Sequence, residues 1–178
     1  MTYPLWKYYP LNAAPPDWAR ELVDAVNQQE LRISTEHEYT GLDSDEVLAQ
    51  LRPGFERLGY EVEKGKRSDQ KVRRTVLFGE NGEPEVNYDI DAFNDYLGIA
   101  VEVEAGRGAS NNADYRDIVR TSLILDAKNL ALLQPLKYRS NPDAKPTLAY
   151  ASTRAQLDAL YQSRRLQLPF DGLLLIGY

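Results

Sequence analysis

The sequence YDIDAF at residues 88–93, followed by NDYLG at 94–98 and IAVEVE at 99–104, decides the fold. Both outer segments alternate polar and apolar residues with a period of two, and the segment between them contains the turn formers Asn, Asp and Gly. The pattern predicts a β-hairpin. If Asp91 lies opposite Glu102, then Asp89 lies opposite Glu104, and all four carboxylates project from one face. The opposite face then carries the core-facing side chains of Tyr88, Ile90, Val101 and Val103.

Carboxylates gathered on one face of a hairpin need a counter-ion. Like charges that face each other across a ladder are unfavourable, and packing acids together raises their pKa values. No Lys or Arg interrupts the acids between Asp89 and Glu104. Mg²⁺ prefers a few carboxylates, a main-chain carbonyl and retained waters, so the pattern predicts a metal site at Asp91, Glu102 and Glu104 with the carbonyl of Val103. The alternative is the solvated face of an amphipathic hairpin.

Length and composition predict a single globular domain. The chain has 178 residues, of which 43% are hydrophobic and 27% are charged, which suffices for one good core but not for two. No apolar run is long enough to span a bilayer, and the first residues lack the basic start and apolar stretch of a signal peptide. We therefore expect a cytoplasmic protein that does not contact membranes.

The residue inventory excludes several kinds of catalytic site. Because the chain has no cysteine, disulfides, Cys-ligated zinc and thiol nucleophiles are excluded. The single histidine, His37, lies in a polar run and is interpreted as a solvated loop residue. Neither a Gly-x-Ser-x-Gly motif nor a phosphate-binding Gly-rich loop with Lys occurs, and we expect no organic cofactor.

Charge is distributed unevenly along the chain. The net charge of -6 argues against strong non-specific attraction to nucleic acid through bulk charge. However, the segment KGKRSDQKVRR at residues 64–74 is densely basic. An acidic centre with basic flanks suits an enzyme that binds a metal in the middle and a polyanion at its edges. Solvated loops are the alternative for this basic run.

Helices are predicted before the hairpin. The first is expected over residues 18–31, with Asp17 as its cap. The second begins at Asp43, because Asp43 and Glu46 have the spacing of a capping box. We expect Pro53 to kink or split this second helix.

After the hairpin, two apolar stretches predict buried strands. Residues 130–136 follow a helix capped by Asn111 or Asn112, which indicates a crossover and a parallel neighbour. Residues 172–178 are too apolar for a solvated strand and should lie within the sheet. In the helix between the hairpin and the first of these strands, the side chains expected to share the buried face are Tyr115, Ile118, Val119, Ser122 and Leu123. Those expected on the other face are Asp114, Arg116, Asp117 and Arg120.

The elements together predict an α/β fold, of the α+β kind, with a central mixed β-sheet flanked by helices. We expect residues 1–178 to form a single domain. Residues 1–42 are expected to form an N-terminal arm and helix, and residues 43–137 a core that contains the hairpin at 88–104. Residues 138–178 are expected to supply a C-terminal helix and a strand that completes the sheet.

An Asp followed by Glu-x-Glu on this hairpin resembles the PD-(D/E)xK nuclease superfamily. The resemblance is greatest to type II restriction endonucleases that carry Glu where most members carry the final Lys. The matching residues are IDAF at 90–93 and AVEVE at 100–104, with Ile90 where the family has its leading Pro. The arrangement covers roughly residues 43 to 137, and it implies a restriction-endonuclease-like core.

The resemblance also implies a reaction, the Mg²⁺-dependent hydrolysis of a DNA phosphodiester bond, with Mn²⁺ as a substitute metal. Asp91 and Glu102 then hold the metal, which acts as a Lewis acid and lowers the pKa of bound water. Glu104 is either a second metal ligand or the group that orients the attacking water. Asp89 supports these ligands, or is a ligand itself if the hairpin register differs by two. The residues expected to contact phosphate are Lys66, Arg67, Lys71, Arg73, Arg74 and Arg107.

Two functions fit this resemblance. The simplest enzyme is a homodimeric restriction endonuclease, since cutting two antiparallel strands at a symmetric site calls for a two-fold partner. The alternative is a nuclease-fold subunit that does not cut, and that serves as a DNA-binding or structural component of a defence or repair assembly. The net acidity and the missing Lys support this alternative.

Overall fold

A computed structural model describes residues 3–105 and 113–178 of the chain. Within these residues a central six-stranded mixed β-sheet lies between two groups of helices, as the sequence predicts. The strands are β1 Leu5–Tyr9, β2 Glu61–Val62, β3 Val72–Phe78, β4 Pro84–Ile90, β5 Ala92–Asn94, β6 Ile99–Val103, β7 Asn129–Gln134 and β8 Gly172–Gly177. The helices are α1 Asp17–Asn27, α2 Glu30–Ile33, α3 Ser44–Arg57, α4 Ala113–Ser122 and α5 Ala149–Ser163.

The central sheet has the strand order β1-β8-β7-β6-β5-β2. Strands β6, β7 and β8 are parallel, and the remaining pairs are antiparallel. The two apolar stretches after the hairpin therefore form buried strands inside the sheet, and the predicted parallel crossover is confirmed. Their near-continuous apolar sequences follow from burial on both faces.

The predicted hairpin is correct from Ala92 onward and wrong before it. Ala92 pairs with Val101, and continuing this antiparallel register places Asp91 opposite Glu102. Strand β4 instead pairs with β3 in a separate two-stranded sheet, where Asp89 lies opposite Arg73 rather than Glu104. The chain thus passes from one sheet to the other at Asp91.

Two hydrophobic cores lie on opposite faces of the central sheet. Val101 and Val103 pack toward α1, α2 and α3. Ile90 packs instead with Ala100 toward α4 and α5, so the prediction that Ile90 shares a face with the two valines is wrong. The change of sheet at Asp91 explains this difference. Glu102 follows Ala100 by two residues, so its side chain lies on the α4 and α5 face.

The helix caps are partly as expected. Asp17 is the first residue of α1 and Pro16 occupies the cap position, so the predicted Asp17 cap is wrong. The capping box of α3 is confirmed, because the Glu46 N–H donates to Asp43 Oδ1 at 2.9 Å and the Asp43 N–H donates to Glu46 Oε2 at 2.8 Å.

Helix α3 continues through Pro53 to Arg57, so the expected split is wrong. Leu51 and Phe55 lie on either side of the proline and are buried in the core, and this packing holds the helix together despite the missing backbone donor. In the described residues, no helix has the length and apolar character needed to cross a membrane.

Candidate active site

A polar cavity of about 300 Å³ opens at the carboxyl end of β6. Among the described residues, six carboxylates and three cationic side chains line it. The carboxylates belong to Glu63, Asp89, Asp91, Glu102, Glu104 and Asp117, and the cations to Lys71, Arg116 and Arg120. We call this space the acid cavity. The four acids of the predicted hairpin therefore come together, with Asp91 opposite Glu102 as predicted and Asp89 positioned by the pairing of β4 with β3.

Asp91 lies at the change of sheet, and its backbone and side chain are both fixed there. The Val103 N–H donates to Asp91 Oδ2 at 2.7 Å, and the Glu63 N–H donates to the Asp91 carbonyl at 2.8 Å. Burial raises the pKa of the Asp91 carboxyl to about 7, although the hydrogen bond from Val103 opposes the rise. The charge of Glu63 raises it further.

Glu102 and Glu104 project from β6 into the same space. Burial raises the pKa of Glu102 well above its usual value, and the charges of Asp91 and Asp117 add to this effect. Burial also raises the pKa of Glu104 to about 8, helped by a hydrogen bond with Asp117. Two carboxyls can share a hydrogen bond only when one keeps its proton. The cavity therefore contains more acids than its own cations neutralise, and some of these acids keep their protons.

The donor set of the acid cavity suits a hard divalent cation, because Mg²⁺ takes oxygen ligands and favours carboxylates. Asp91 and Glu102 come from adjacent strands, and Val103 lies between the two glutamates on β6. Across residues 3–105 and 113–178, however, no group of three or more Asp, Glu, His or Cys side chains is already arranged to hold a metal. Binding therefore requires these side chains to turn from their present hydrogen-bond partners toward the ion.

Asp89 lines the cavity but has its own cationic partner. Its Oδ1 accepts from Arg73 Nε at 2.8 Å, and its backbone carbonyl accepts from Arg120 Nη2 at 3.2 Å. The predicted opposition of Asp89 and Glu104 is thus replaced by an ion pair across β3 and β4. This pairing reduces the negative charge that Asp89 contributes to the cavity.

Helix α4 buries residues from both of the predicted faces, because Ile118 is 3% exposed beside the buried Asp114 and Asp117. Asp117, expected on the outer face, is only 3% exposed and lines the acid cavity. Asp114 is completely buried and accepts a hydrogen bond from the hydroxyl of Thr153 at 3.0 Å. Tyr115 and Val119, expected inside, are 40% and 53% exposed. The buried stripe of this helix is polar because it faces a polar site.

Sequence reasoning also missed Glu63 and the position of Lys71. Glu63 is 6% exposed, and Lys71 Nζ lies 2.5 Å from its Oε1. The hydrogen bond to Glu63 raises the pKa of the Lys71 ammonium, so Lys71 stays charged inside the acid cavity. The signal for Glu63 was the alternating segment YEVE at residues 60–63, which carries an acid with the same period as the hairpin.

The basic run predicted to contact phosphate is paired internally. Each of its long cationic side chains at 66–74 has a carboxylate partner: Lys66 with Asp45 at 3.3 Å, Arg67 with Asp69 at 2.5 Å, Lys71 with Glu63, Arg73 with Asp89, and Arg74 with both Asp95 and Glu61. Arg107, together with the expected caps Asn111 and Asn112, lies outside the described residues. Phosphate contact by the run stays a prediction, and it requires these pairs to exchange partners.

Comparison with known proteins identifies the fold. No protein-family model and no curated protein matches the chain. Among solved structures, the restriction endonuclease BglII in complex with a DNA 16-mer matches with a TM-score of 0.59 at 13% identity, over 99% of this chain and 78% of that one. The chain has a restriction-endonuclease-like fold.

Free BglII also matches the chain, with a TM-score of 0.45 at 11% identity over 99% of this chain and 79% of that one. The match to the DNA complex extends over nearly the whole chain. The restriction-endonuclease-like fold therefore includes the central sheet together with the elements that surround the acid cavity. At this identity the likeness concerns the fold alone.

Proposed function

We propose that the chain is a Mg²⁺-dependent DNA endonuclease of the restriction type. The observation that carries this proposal is the acid cavity, where Asp91 and Glu102 from adjacent strands meet amid an excess of carboxylates. The restriction-endonuclease-like fold supports it, although a fold by itself does not decide function. Mn²⁺ is expected to substitute for Mg²⁺.

In this proposal Asp91 and Glu102 hold the metal, with the Val103 carbonyl as a further oxygen ligand. When bound there, a divalent ion would supply Lewis-acid chemistry to a phosphate oxygen and to a water molecule. Glu104 serves either as a second metal ligand or as the group that orients the attacking water. Asp117 orients Glu104 through their hydrogen bond.

Plasmid cleavage tests the proposal directly. Supercoiled DNA incubated with the protein and Mg²⁺ or Mn²⁺ should be converted to nicked and linear forms, and discrete fragments would indicate cutting at a specific sequence. A wild-type protein that leaves the plasmid intact with every divalent metal tried would contradict the proposal. That result would favour the alternative of a non-cutting subunit of a defence or repair assembly.

We also propose that the active form is a homodimer that associates through α4. Tyr115, Val119 and Leu123 are 40%, 53% and 47% exposed, and their spacing of four residues places them in one stripe on the helix. Apolar side chains clustered on a surface mark interaction sites. Since α4 also lines the acid cavity, contact between two copies of α4 brings two such cavities near one two-fold axis, as cutting both strands requires.

Placing a charge in the α4 stripe should separate the two copies. We expect Val119→Glu to halve the mass measured by analytical ultracentrifugation, because a buried unpaired charge at an interface costs several kcal/mol, on the order of 2–5. Cleavage should shift from linear to nicked plasmid. The matched control is Leu31→Glu, since Leu31 is fully exposed on α2 at the other face of the sheet. An unchanged mass for Val119→Glu would rule out this interface.

A further inference from the structure

A second cavity, of about 230 Å³, lies at the carboxyl ends of β7 and β8. Its walls include Pro135 and Lys137 after β7, Tyr178 after β8, and the segment from Thr35 to Asp43 before α3. We call it the side cavity. In sheets with parallel strands, ligands bind outside the carboxyl ends of the strands, and both cavities lie there.

Neighbouring residues of the chain line the two cavities. Asp43 lines the side cavity and Ser44 lines the acid cavity. Likewise, Ala105 lines the side cavity and Glu104 lines the acid cavity. The hydroxyl of Tyr178 donates to the Glu104 carbonyl at 2.6 Å, so a residue that lines the side cavity is hydrogen-bonded to one that lines the acid cavity. Both cavities therefore lie at the end of β6, one lined by Glu104 and the other by Ala105.

Lys137 and Arg139 supply positive charge to the side cavity. Lys137 Nζ donates to the Glu36 carbonyl at 2.6 Å, and Arg139 Nη1 donates to the Ala144 carbonyl at 3.2 Å. Both acceptors are neutral, and within the described residues neither cation has a carboxylate oxygen within the 4.0 Å of an ion pair. Their charge is therefore available, unlike the charge of the basic run at 66–74.

Two carboxylates, those of Asp43 and Glu38, also line the side cavity. The Asp43 carboxylate accepts the Glu46 N–H in the capping box of α3. Glu38 is the other acid in the lining, and it forms no ion pair with Lys137 or Arg139 within the described residues. Hydroxyl groups of Thr40 and Ser140 add neutral donors to the same walls.

We propose that the side cavity binds a backbone phosphate of the DNA that reaches the acid cavity, with Lys137 and Arg139 as its cations. The inference rests on the proposed function and names a position at which the proposed endonuclease binds its DNA substrate. A phosphate contact by Lys or Arg positions DNA without reading sequence. These residues should therefore contribute to affinity for any duplex.

The salt dependence of DNA binding tests this inference. Binding of a labelled duplex is measured by fluorescence anisotropy with Ca²⁺ in place of Mg²⁺, for the wild type and for Lys137→Met/Arg139→Gln. Each lost phosphate contact lowers the slope of log affinity against log salt by about 1. We expect the double variant to lower the slope by about 2, and Lys137→Arg/Arg139→Lys to restore it.

The matched control is Arg164→Gln/Arg165→Gln, which removes the same charge. These residues lie between α5 and β8, at the amino end of the parallel strands and so at the opposite edge of the sheet. For this control variant, the slope of log affinity against log salt should equal that of the wild type. Melting temperatures of all variants are compared to confirm that each one folds.

The outcomes separate this inference from the proposed function. If the double variant reduces the slope but the wild type never cleaves plasmid, phosphate binding in the side cavity is supported and the proposed endonuclease activity is rejected. If the wild type cleaves plasmid but Lys137→Met/Arg139→Gln leaves the slope unchanged, only the proposed phosphate binding in the side cavity is overturned. An equal loss of slope in the control variant would overturn it as well. Failure of the wild type to bind duplex would overturn it as well.

Discussion

The variant Glu102→Gln is expected to reduce Mg²⁺-dependent plasmid cleavage by roughly three orders of magnitude. A bound metal supplies several kcal/mol of transition-state stabilisation, and each tenfold in rate corresponds to about 1.4 kcal/mol. Gln keeps the size and one carbonyl oxygen of Glu but not its charge, so packing around β6 is preserved while the metal is held more weakly. The initial rate of conversion of supercoiled plasmid measures the effect.

Glu56→Gln is the matched control for this variant. Glu56 is exposed on α3 and is not part of the acid cavity, so its substitution removes one carboxylate without touching the proposed ligands. It should cleave at the wild-type rate. Equal rates for Glu102→Gln and wild type, or an equal loss in Glu56→Gln, would mean that the acid cavity does not carry the reaction.

The metal-free protein is expected to lose stability as the pH rises from about 5 to about 8. The pKa of Asp91 is raised from 3.8 to about 7 and that of Glu104 from 4.5 to about 8. In this range the folded state keeps protons that the unfolded chain has released, so the free energy of unfolding falls with pH. The stabilising contribution is complete below the unfolded pKa values and is lost as the pH passes the folded ones.

A divalent ion should reverse this loss, because it replaces the protons as the partner of the carboxylates. We therefore expect Ca²⁺ to raise the melting temperature more at about pH 8 than at about pH 5. One pKa unit corresponds to about 1.4 kcal/mol, and about 1 kcal/mol shifts the melting temperature of a chain of this size by roughly 2–4 °C. The melting temperature should therefore fall by roughly 10 °C or more between the two pH values.

Differential scanning fluorimetry with a chelator or with Ca²⁺ measures these shifts. The double variant Asp91→Asn/Glu102→Gln serves as the reference, since it lacks two of the buried charges. Its melting temperature should vary less with pH and should not respond to Ca²⁺. The same pH profile in wild type and double variant would show that the acids of the cavity are not responsible.

Local pattern was enough to predict the central part of the site. The period of two and the turn between Ala92 and Val101 determine that Asp91 faces Glu102, because both are properties of neighbouring residues. The position of Asp89 could not be obtained in this way. It depends on the pairing of β4 with β3, and Arg73 offers Asp89 a cation that the hairpin alone does not contain.

Helix α4 shows why amphipathic pattern can give the wrong face near a polar site. Periodicity separates the stripe of Asp114 and Asp117 from that of Tyr115 and Val119, but it does not say which stripe meets the protein. The usual preference for apolar contact fails here because the sheet presents Glu102 and Glu104 to the helix. Violations of this kind are expected at functional sites.

The basic residues at 66–74 show that sequence alone does not reveal which cationic side chains are paired with carboxylates. Composition records that Arg74 is cationic, whereas the structure pairs it with Asp95 at 2.8 Å and Glu61 at 3.0 Å. These partners come from other strands or turns, so their proximity is a product of the fold. Lys137 and Arg139, where the sequence has no dense cluster, form no ion pair within the described residues.

Calorimetric titration of Ca²⁺ into the metal-free protein at about pH 8 tests most directly whether Asp91 and Glu102 share a divalent ion. The wild type should bind the ion and release protons, which is detected by repeating the titration in buffers of different ionisation enthalpy. The double variant Asp91→Asn/Glu102→Gln should show no binding in the same range. Equal binding by both proteins, or the absence of binding by the wild type, would contradict the account.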